Sequence, residues 1–187
     1  MEIRSLEIAD VKLVVPQIHR DVRGFLSETY HRDTMIAAGI GPDFVQDNHS
    51  LSVEAGTVRG LHYQVPPRAQ GKLLRVVRGA VFDAAVDIRV GSPTFGQHVS
   101  AILSAENRVQ IWIPAGFAHG YCTLEANTEV VYKVTDYYAP ECDRGLKWDD
   151  AAIGIEWPVT PNDAKLSDRD RRNPALKDVR VACFHTG

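Results

Sequence analysis

The sequence is short of cysteine, of long apolar runs and of excess positive charge. Its 3 cysteines are too widely spaced for a Cys-x-x-Cys redox motif or a zinc knuckle. We therefore expect Cys122, Cys142 and Cys183 to be free thiols in a reducing cytoplasm. The formal net charge is −3, so no global positive field draws the chain to nucleic acid or to an anionic membrane surface.

Membrane and export segments are also missing. No stretch approaches the roughly 18 consecutive apolar residues of a transmembrane helix. The first residues, 1–4, carry an acid and do not open into an apolar export signal. We expect a cytoplasmic protein with neither a membrane nor a nucleic acid as partner.

Length and composition predict one ordinary globular domain. The chain has 187 residues, of which 44% are hydrophobic and 24% charged, so it can bury a sizeable core. Against a typical domain of about 150 residues, this length favours a single unit over residues 1–187, with an N-terminal arm and short C-terminal helices.

Residues 58–138 predict an all-β sandwich or barrel. Short runs of Val, Ile, Tyr, Phe and Trp alternate there with Gly, Pro and Asn. Residues 80–88 alternate with period 2, so one apolar face should form core, while Asp83 and Asp87 share the other face. Residues 129–138 also alternate, so Tyr132 and Tyr138 should point the same way if that strand is unbroken.

Helical signals are confined to the flanks of this block. Residues 33–38 predict a short helix with an N-cap acid, and Gly39 predicts its end. The tail from residue 149 onward contains three prolines among short polar and apolar clusters. It predicts one-turn helices and loops that wrap the barrel.

Two segments each deliver a histidine at the end of a β-run. Residues 56–64 read GTVRGLHYQ and contain His62, and residues 114–119 read PAGFAH and end in His119. They resemble the two conserved segments of the cupin superfamily. That resemblance implies a small antiparallel barrel in which both imidazoles face one cavity.

The same segments lack the ligands of a metal-binding cupin. Such cupins place a second histidine two positions after the first and then a glutamate. Here Gln64 occupies the position of the second histidine, and no acidic residue lies between Gln64 and Lys72. Two histidines form a weak site, and a nearby cation repels a metal. We predict no metal and no cofactor. The alternative is a metal held by His49, His62 and His119 with a distant acid.

An imidazole, an ammonium and a phenol together favour proton transfer. His62 can act as a base near neutral pH if a carboxylate stabilises its imidazolium form. Lys72 can stabilise an oxyanion, and Tyr132 can return a proton from another direction. These roles predict epimerisation beside a ketone through an enolate.

The ordered local motifs are more specific. They span residues 11–174 and resemble the dTDP-4-dehydrorhamnose 3,5-epimerases, the RmlC-type sugar-nucleotide epimerases. The matching segments are 23–25 (RGF), 44–50 (FVQDNHS), 59–62 (RGLH), 71–73 (GKL), 92–96 (SPTFG), 112–120 (WIPAGFAHG), 132–133 (YK), 137–140 (YYAP) and 154–158 (GIEWP).

This resemblance implies an all-β, cupin-type antiparallel barrel, or jelly roll, with short peripheral helices. It implies a metal-independent homodimeric isomerase without a cofactor. Its substrate would be a dTDP-linked 4-keto-6-deoxyhexose, dTDP-4-dehydro-6-deoxy-D-glucose, whose C3 and C5 it inverts in the biosynthesis of dTDP-L-rhamnose.

The resemblance also assigns residues. His62 would be the proton acceptor, Asp170 its partner, Lys72 the enolate stabiliser and Tyr132 the proton donor. Substrate binding would involve Arg23 and Arg59 at the diphosphate, Glu28, Gln46 and Asn48 at the nucleotide, Tyr138 on thymine, His119 and Asp143 at the sugar, and also Phe25, Asp47 and Ser167. Relatives often have lysine where this chain has Arg169, so the contact made there stays open.

Structural interpretations compete with several of these assignments. His119 also fits a core histidine, and residues 167–170 also fit a helix capping box. Arg59 precedes His62 by three residues, so a regular strand would place it on the opposite face, unless Gly60 marks a bulge. Asp83 is either a cavity group or part of an outward polar face.

Three other functions stay open. One is an epimerase that inverts only C3 or only C5 of a dTDP-4-keto-6-deoxyhexose for an antibiotic sugar. The others are a metal-dependent cupin enzyme and a non-catalytic sugar-nucleotide binding module.

Overall fold

The computed structural model describes residues 1–41 and 43–179, so the Cys183 prediction lies outside the described residues. The all-β prediction is confirmed. The strands are β1 (Glu2–Ser5), β2 (Lys12–Val15), β3 (Ile18–Asp21), β4 (Gly24–Ser27), β5 (Gln46–Ser52), β6 (Val58–Gln64), β7 (Lys72–Arg78), β8 (Ala80–Asp87), β9 (His98–Ser104), β10 (Gln110–Ile113), β11 (Phe117–Thr123), β12 (Thr128–Val134) and β13 (Asp143–Gly145).

Two antiparallel sheets enclose the main core. The six-stranded sheet has the order β1-β2-β10-β7-β12-β5, and the five-stranded sheet has the order β13-β6-β11-β8-β9. Apolar side chains from both sheets meet between them, including Leu74 and Val130 from the first and Val81 and Ala85 from the second. A separate hairpin, β3–β4, lies beside the sheets. The space between the sheets is therefore core and cavity.

Strand β8 is buried on both faces. Val86 packs with Leu61 and Leu146 in a second core cluster on the outer side of its sheet. Asp83 and Asp87 have no exposed surface, and Asp83 contacts His119 in the neighbouring strand. The expectation of one apolar core face is therefore incomplete, because the chain after residue 145 covers the outside of the sheet.

Strand β12 ends at Val134, four residues before Tyr138. Val130 and Val134 are buried and alternate as expected. Tyr138 instead lies in the following loop and is largely exposed. Its orientation is therefore set by the loop and not by strand alternation with Tyr132.

The predicted helix is α1 (Arg32–Ala37), and it begins one residue earlier than expected. His31 is the N-cap, because its ring nitrogen accepts the Thr34 N–H, while the predicted cap, Asp33, lies in the first turn. The glycine stop is confirmed: Gly39 has φ +71°, and the backbone N–H of Ile40 donates to the Met35 carbonyl oxygen at 2.8 Å.

The predicted one-turn helices in the tail are confirmed as the 3₁₀ turns Asp170–Arg172 and Leu176–Asp178. Within the described residues, none of the helices is long and apolar enough to cross a membrane.

A β-bulge lies at Gly60, which settles the alternative that the sequence analysis left open. His119 pairs with His62 and Tyr121 pairs with Arg59. Between these two pairs β6 advances by three residues while β11 advances by two, so β6 contains one extra residue. Gly60 has φ +128°, and a Cβ there would lie 2.6 Å from Gly120 Cα. The extra residue resets the alternation, and Arg59 and His62 therefore face the same cavity.

The close backbone approach at the bulge predicts a large stability difference between two glycine substitutions. Gly60→Ala and Gly24→Ala share a positive φ, but a Cβ at Gly24 meets nothing within 4 Å. Backbone strain should destabilise each variant by roughly 1–3 kcal/mol, and steric overlap should add roughly 1–3 kcal/mol for Gly60→Ala. Urea unfolding measures both, and equal losses would contradict the tight approach.

Candidate active site

A cavity of about 600 Å³ opens between the sheets. All four residues predicted to be catalytic line it: His62, Lys72, Tyr132 and Asp170. They come from β6, β7, β12 and the first 3₁₀ turn. A second cavity of about 330 Å³ adjoins it and shares His62, Lys72, Tyr132 and Arg169.

His62 and Asp170 form a hydrogen-bonded pair. His62 Nε2 lies 2.5 Å from Asp170 Oδ1, and the carboxylate is 4% exposed. Burial alone would raise the pKa of Asp170, but hydrogen bonds from His62 and the Gly60 amide, with the charge of His62, hold it below the usual range. Asp170 can therefore orient the imidazole and stabilise its protonated form.

Ser167 contacts the backbone of Asp170 in this pair. Its hydroxyl accepts the backbone N–H of Asp170 at 3.1 Å. This contact is one half of the predicted capping box, but the Asp170 side chain turns to His62 and does not complete the box. The predicted capping box is therefore incomplete, since the 3₁₀ turn that begins at Asp170 has no side-chain cap hydrogen bond, and the Asp170 carboxylate is directed to His62 as the functional interpretation expects.

Lys72 is the buried cation of the cavity. Burial lowers the pKa of its ammonium to about 8, although the charges of Asp143 and Asp83 act in the opposite direction. Nζ donates to the His62 carbonyl oxygen at 3.3 Å. The group therefore stays mostly protonated at neutral pH and has further donors available for a ligand.

Two phenols, of Tyr132 and Tyr121, line the cavity. Burial raises the pKa of each, so both are neutral donors near pH 7. The Tyr121 hydroxyl lies 3.0 Å from Ser50 Oγ. Sequence reasoning missed Tyr121, although its place two residues after His119 on β11 puts both on one face.

His119 lies next to His62 on the paired strand. Its Nε2 lies 2.8 Å from Asp83 Oδ2, and both side chains are buried. Burial lowers the pKa of His119, against the charge of Asp83. His119 is thus a hydrogen-bonded buried histidine that also lines the cavity, and Asp83 is fully buried against it rather than exposed to solvent.

Positive side chains surround one side of the cavity. The Arg59 guanidinium donates hydrogen bonds to Ser52 Oγ at 3.1 Å and to the Leu51 carbonyl oxygen at 3.0 Å. The tail contributes three further cations, Lys165, Arg169 and Arg171, of which the sequence analysis left the contact of Arg169 open and did not place the other two in the site. Their sequence signal was only a basic stretch near Asp170. This side of the cavity is suited to an anionic group.

The second cavity gathers residues that the resemblance placed near the nucleotide and sugar. Gln46 and Asn48 face inward from β5 and are bonded to each other at 2.9 Å. The Tyr138 hydroxyl donates to Asp143 Oδ2 at 3.1 Å, and Arg169 donates to the same oxygen at 2.6 Å. The open contact of Arg169 is therefore an ion pair with Asp143.

Four predicted binding residues do not reach these cavities within one chain. Arg23, Phe25 and Glu28 lie on or just after the β3–β4 hairpin, where they line other surface depressions. Asp47 alternates with Gln46 and Asn48, so it points to the outer face of the sheet and pairs with Lys133 at 2.9 Å. Strand alternation places Asp47 on the opposite face from Gln46 and Asn48, so within one chain Asp47 does not line either cavity.

The alternative metal site is not assembled. His49 lies on the outer face of β5, 3.0 Å from Glu129, and so points away from His62 and His119. Across residues 1–41 and 43–179, no three His, Cys, Asp or Glu side chains come together in a way that could hold a metal ion. This alternative ligand set was wrong, because alternation along β5 turns its first member outward.

The thiol prediction is confirmed for the two described cysteines. Cys122 and Cys142 are both free and buried. Burial raises the pKa of Cys122 to about 11, so its thiol is unreactive at neutral pH.

Comparison with known proteins places these motifs in one family. The family model described as dTDP-4-dehydrorhamnose 3,5-epimerase matches residues 5–178. An enzyme of that name from Sinorhizobium fredii is 53% identical over 182 residues, which cover 97% of this chain and 93% of the relative.

Solved structures agree. The dTDP-6-deoxy-D-glucose-3,5-epimerase of Legionella pneumophila, solved with dTDP-4-keto-L-rhamnose, has a TM-score of 0.93 and 42% identity, and 99% of each chain is covered. The 3'-monoepimerase ChmJ of Streptomyces bikiniensis, solved with dTDP-quinovose, has a TM-score of 0.85 and 34% identity, over 92% of this chain and 87% of that one.

The cupin-type jelly roll predicted from the sequence is confirmed by these neighbours. The matches cover nearly the whole chain in both sequence and structure. The chain belongs to the dTDP-4-dehydrorhamnose 3,5-epimerase family.

Proposed function

We propose that this protein is a dTDP-4-dehydrorhamnose 3,5-epimerase, an isomerase that inverts C3 and C5 of dTDP-4-dehydro-6-deoxy-D-glucose on the route to dTDP-L-rhamnose. The supporting observation is the common cavity of the His62–Asp170 pair, Lys72 and Tyr132. It brings a base, a cation and a neutral acid to one place, as carbanion chemistry beside a ketone requires.

In the proposed reaction, His62 removes a proton from the carbon beside the carbonyl, and the electron pair moves onto the carbonyl oxygen as an enolate. Asp170 stabilises the imidazolium that forms. Lys72 donates a hydrogen bond to the enolate oxygen. Tyr132 then returns a proton to the opposite face of the same carbon, and the configuration is inverted. His62 releases its proton to solvent and Tyr132 takes one up from solvent, which restores both groups for the second inversion.

One cation can serve both inversions. C3 and C5 flank the C4 carbonyl, so the enolates formed from either carbon place their charge on the same oxygen. A single Lys72 ammonium beside that oxygen therefore lowers both barriers. No cofactor or metal enters this scheme.

The positive side of the cavity supports binding of the diphosphate. Arg59 offers a braced guanidinium, and Lys165 and Arg171 add charge nearby. Gln46, Asn48 and Tyr138 at the second cavity then belong to the nucleotide, with His119 and Asp143 at the sugar. Ser167 acts through the Asp170 backbone.

We further propose that the chain works as a cytoplasmic homodimer, each copy a single cupin unit over residues 1–187. The β3–β4 hairpin is exposed and carries Val22, Phe25 and Leu26 on its surface. Apolar side chains of this size are rarely left together in water. If the hairpin enters the partner's site, its residues Arg23, Phe25 and Glu28 can bind substrate there, although they do not reach the cavities of their own chain.

Turnover in deuterium oxide tests the reaction. Because each inversion exchanges one carbon-bound proton with solvent, a double epimerase places two solvent deuterons in each product sugar. A single deuteron would support the alternative of a single-centre epimerase, the activity named for the structural neighbour ChmJ. Mass spectrometry counts them.

Control variants and conditions complete that experiment. His62→Ala should abolish exchange at both carbons while dTDP still binds, and retained exchange would show that another base acts. Activity should survive chelators, because no step uses a metal. Binding of dTDP without any exchange in the native protein would identify a binding module instead.

Tyr132→Phe separates proton abstraction from proton delivery. Abstraction by His62 does not need the phenol, so solvent exchange should stay within about tenfold of the native rate. Inversion should fall by roughly 10²–10⁴-fold, because a positioned acid contributes about that much. Isotope exchange and product NMR measure the two rates, and unchanged inversion would exclude Tyr132 as the acid.

A shared site predicts complementation between two inactive variants. Arg23→Glu should damage the site of the partner, whereas His62→Ala damages its own. After denaturation and refolding of an equal mixture, half of the dimers are mixed and each has one intact site, so about a quarter of native activity should return. No recovery, with heterodimers verified by mass spectrometry, would place Arg23 in its own chain's site.

A further inference from the structure

Lys72 lies among charged and titratable groups from every surrounding element. These are Arg59 and His62 on β6, Asp83 on β8, His119 and Tyr121 on β11, Tyr132 on β12, Asp143 on β13, and Arg169 and Asp170 in the tail. Three of them are carboxylates that can balance the ammonium charge. Their other contacts decide which of them does so.

Asp143 and Asp170 already have partners. Asp143 accepts Arg169 at 2.6 Å and the Tyr138 hydroxyl at 3.1 Å, both on Oδ2. Asp170 is bonded to His62 at 2.5 Å. The charge of each is therefore largely committed to a neighbour other than Lys72.

Asp83 differs from both. Its side chain has no exposed surface. Oδ2 contacts only the His119 imidazole at 2.8 Å, and Oδ1 has no hydrogen-bond partner among the described residues. No Lys or Arg nitrogen from that part of the chain lies within 4.0 Å to pair with it. A buried carboxylate without a balancing cation is strongly unfavourable.

Lys72 is the cation that can supply this balance. The ammonium of Lys72 is attracted by the charge of Asp143, which is shared with Arg169 and Tyr138, and then by the charge of Asp83. Asp83 and Lys72 also both act on His119, which lines the same cavity as Lys72. We propose that Asp83 is the buried counterion of Lys72, a positioning residue that keeps the ammonium protonated and directed into the cavity. This role rests on the proposed function of Lys72 as the enolate stabiliser.

The consequence is a specific dependence on pH. Burial has already lowered the pKa of Lys72 to about 8. Removing an attractive negative charge lowers it further, so the ammonium is lost at a lower pH. The protonated form is the active form, and the activity loss must therefore grow as the pH rises.

The isosteric substitution Asp83→Asn in the full-length chain tests the proposal. We expect the pKa of Lys72, followed by NMR of ¹³Cε-lysine and assigned with Lys72→Arg, to fall by about one unit. For a native pKa near 8, kcat/KM should then drop about fivefold at pH 8 and less than twofold at pH 6. The matched control is Glu129→Gln, which removes a carboxylate from the outer face of the same sheet as Lys72 and should leave the Lys72 titration unchanged.

Other outcomes overturn the proposal. An unchanged Lys72 titration in Asp83→Asn, or a loss of kcat/KM equal at all pH values, would show that Asp83 acts only by packing in the core or by orienting His119. Should the variant not fold, the native protein gives the answer, because the Asp83 ¹³Cγ resonance must shift where Lys72 titrates. Both NMR measurements are independent of turnover, so they stay decisive even if the proposed epimerase activity is absent.

Discussion

The hydrogen bond between His62 and Asp170 joins two positions 108 residues apart, and the rest of the site depends on it. It requires the tail to fold back over the mouth of the barrel, with Ser167 fixing the Asp170 backbone. It also requires the bulge at Gly60, whose amide reaches the same carboxylate. A strand irregularity and a one-turn helix thus meet at a single imidazole.

Charge balance is the second constraint on this cavity. Arg59, Lys72, Arg169, Asp143 and Asp170 line the two adjoining cavities, and Asp83 is buried close enough to act on the charge of Lys72. In such surroundings each charge needs a partner, because burial without one is unfavourable. The pairing of Arg169 with Asp143 and of His62 with Asp170 leaves Lys72 and Asp83 as complementary groups, and in the proposed reaction the ammonium remains available for a developing oxyanion.

Local patterns were sufficient for some features and insufficient for others. Alternation predicted the β-class, and the Arg59–Gly60–His62 spacing showed that Arg59 and His62 could share a face only with a bulge at Gly60, because both are consequences of neighbouring residues on one strand. The motif resemblance brought His62, Lys72, Tyr132 and Asp170 together correctly. Asp47 failed, since a contiguous motif on a strand divides between two faces. Tyr121 was missed although it lies two residues after His119 and therefore on the same strand face. Lys165 and Arg171 were missed because a basic stretch in the tail does not show which of its side chains line a cavity.

By itself, the sequence determined the all-β class and the family, because strand periodicity and motif order are written in consecutive residues. It also predicted which residues would serve as base, cation and acid. Only the tertiary structure decided which carboxylate pairs with which cation, that the polar face of β8 points inward, and that Arg23, Phe25 and Glu28 lie outside the cavity of their own chain. Those outcomes depend on long-range packing of the tail and the hairpin, and contacts between distant segments leave no periodic signal in either one.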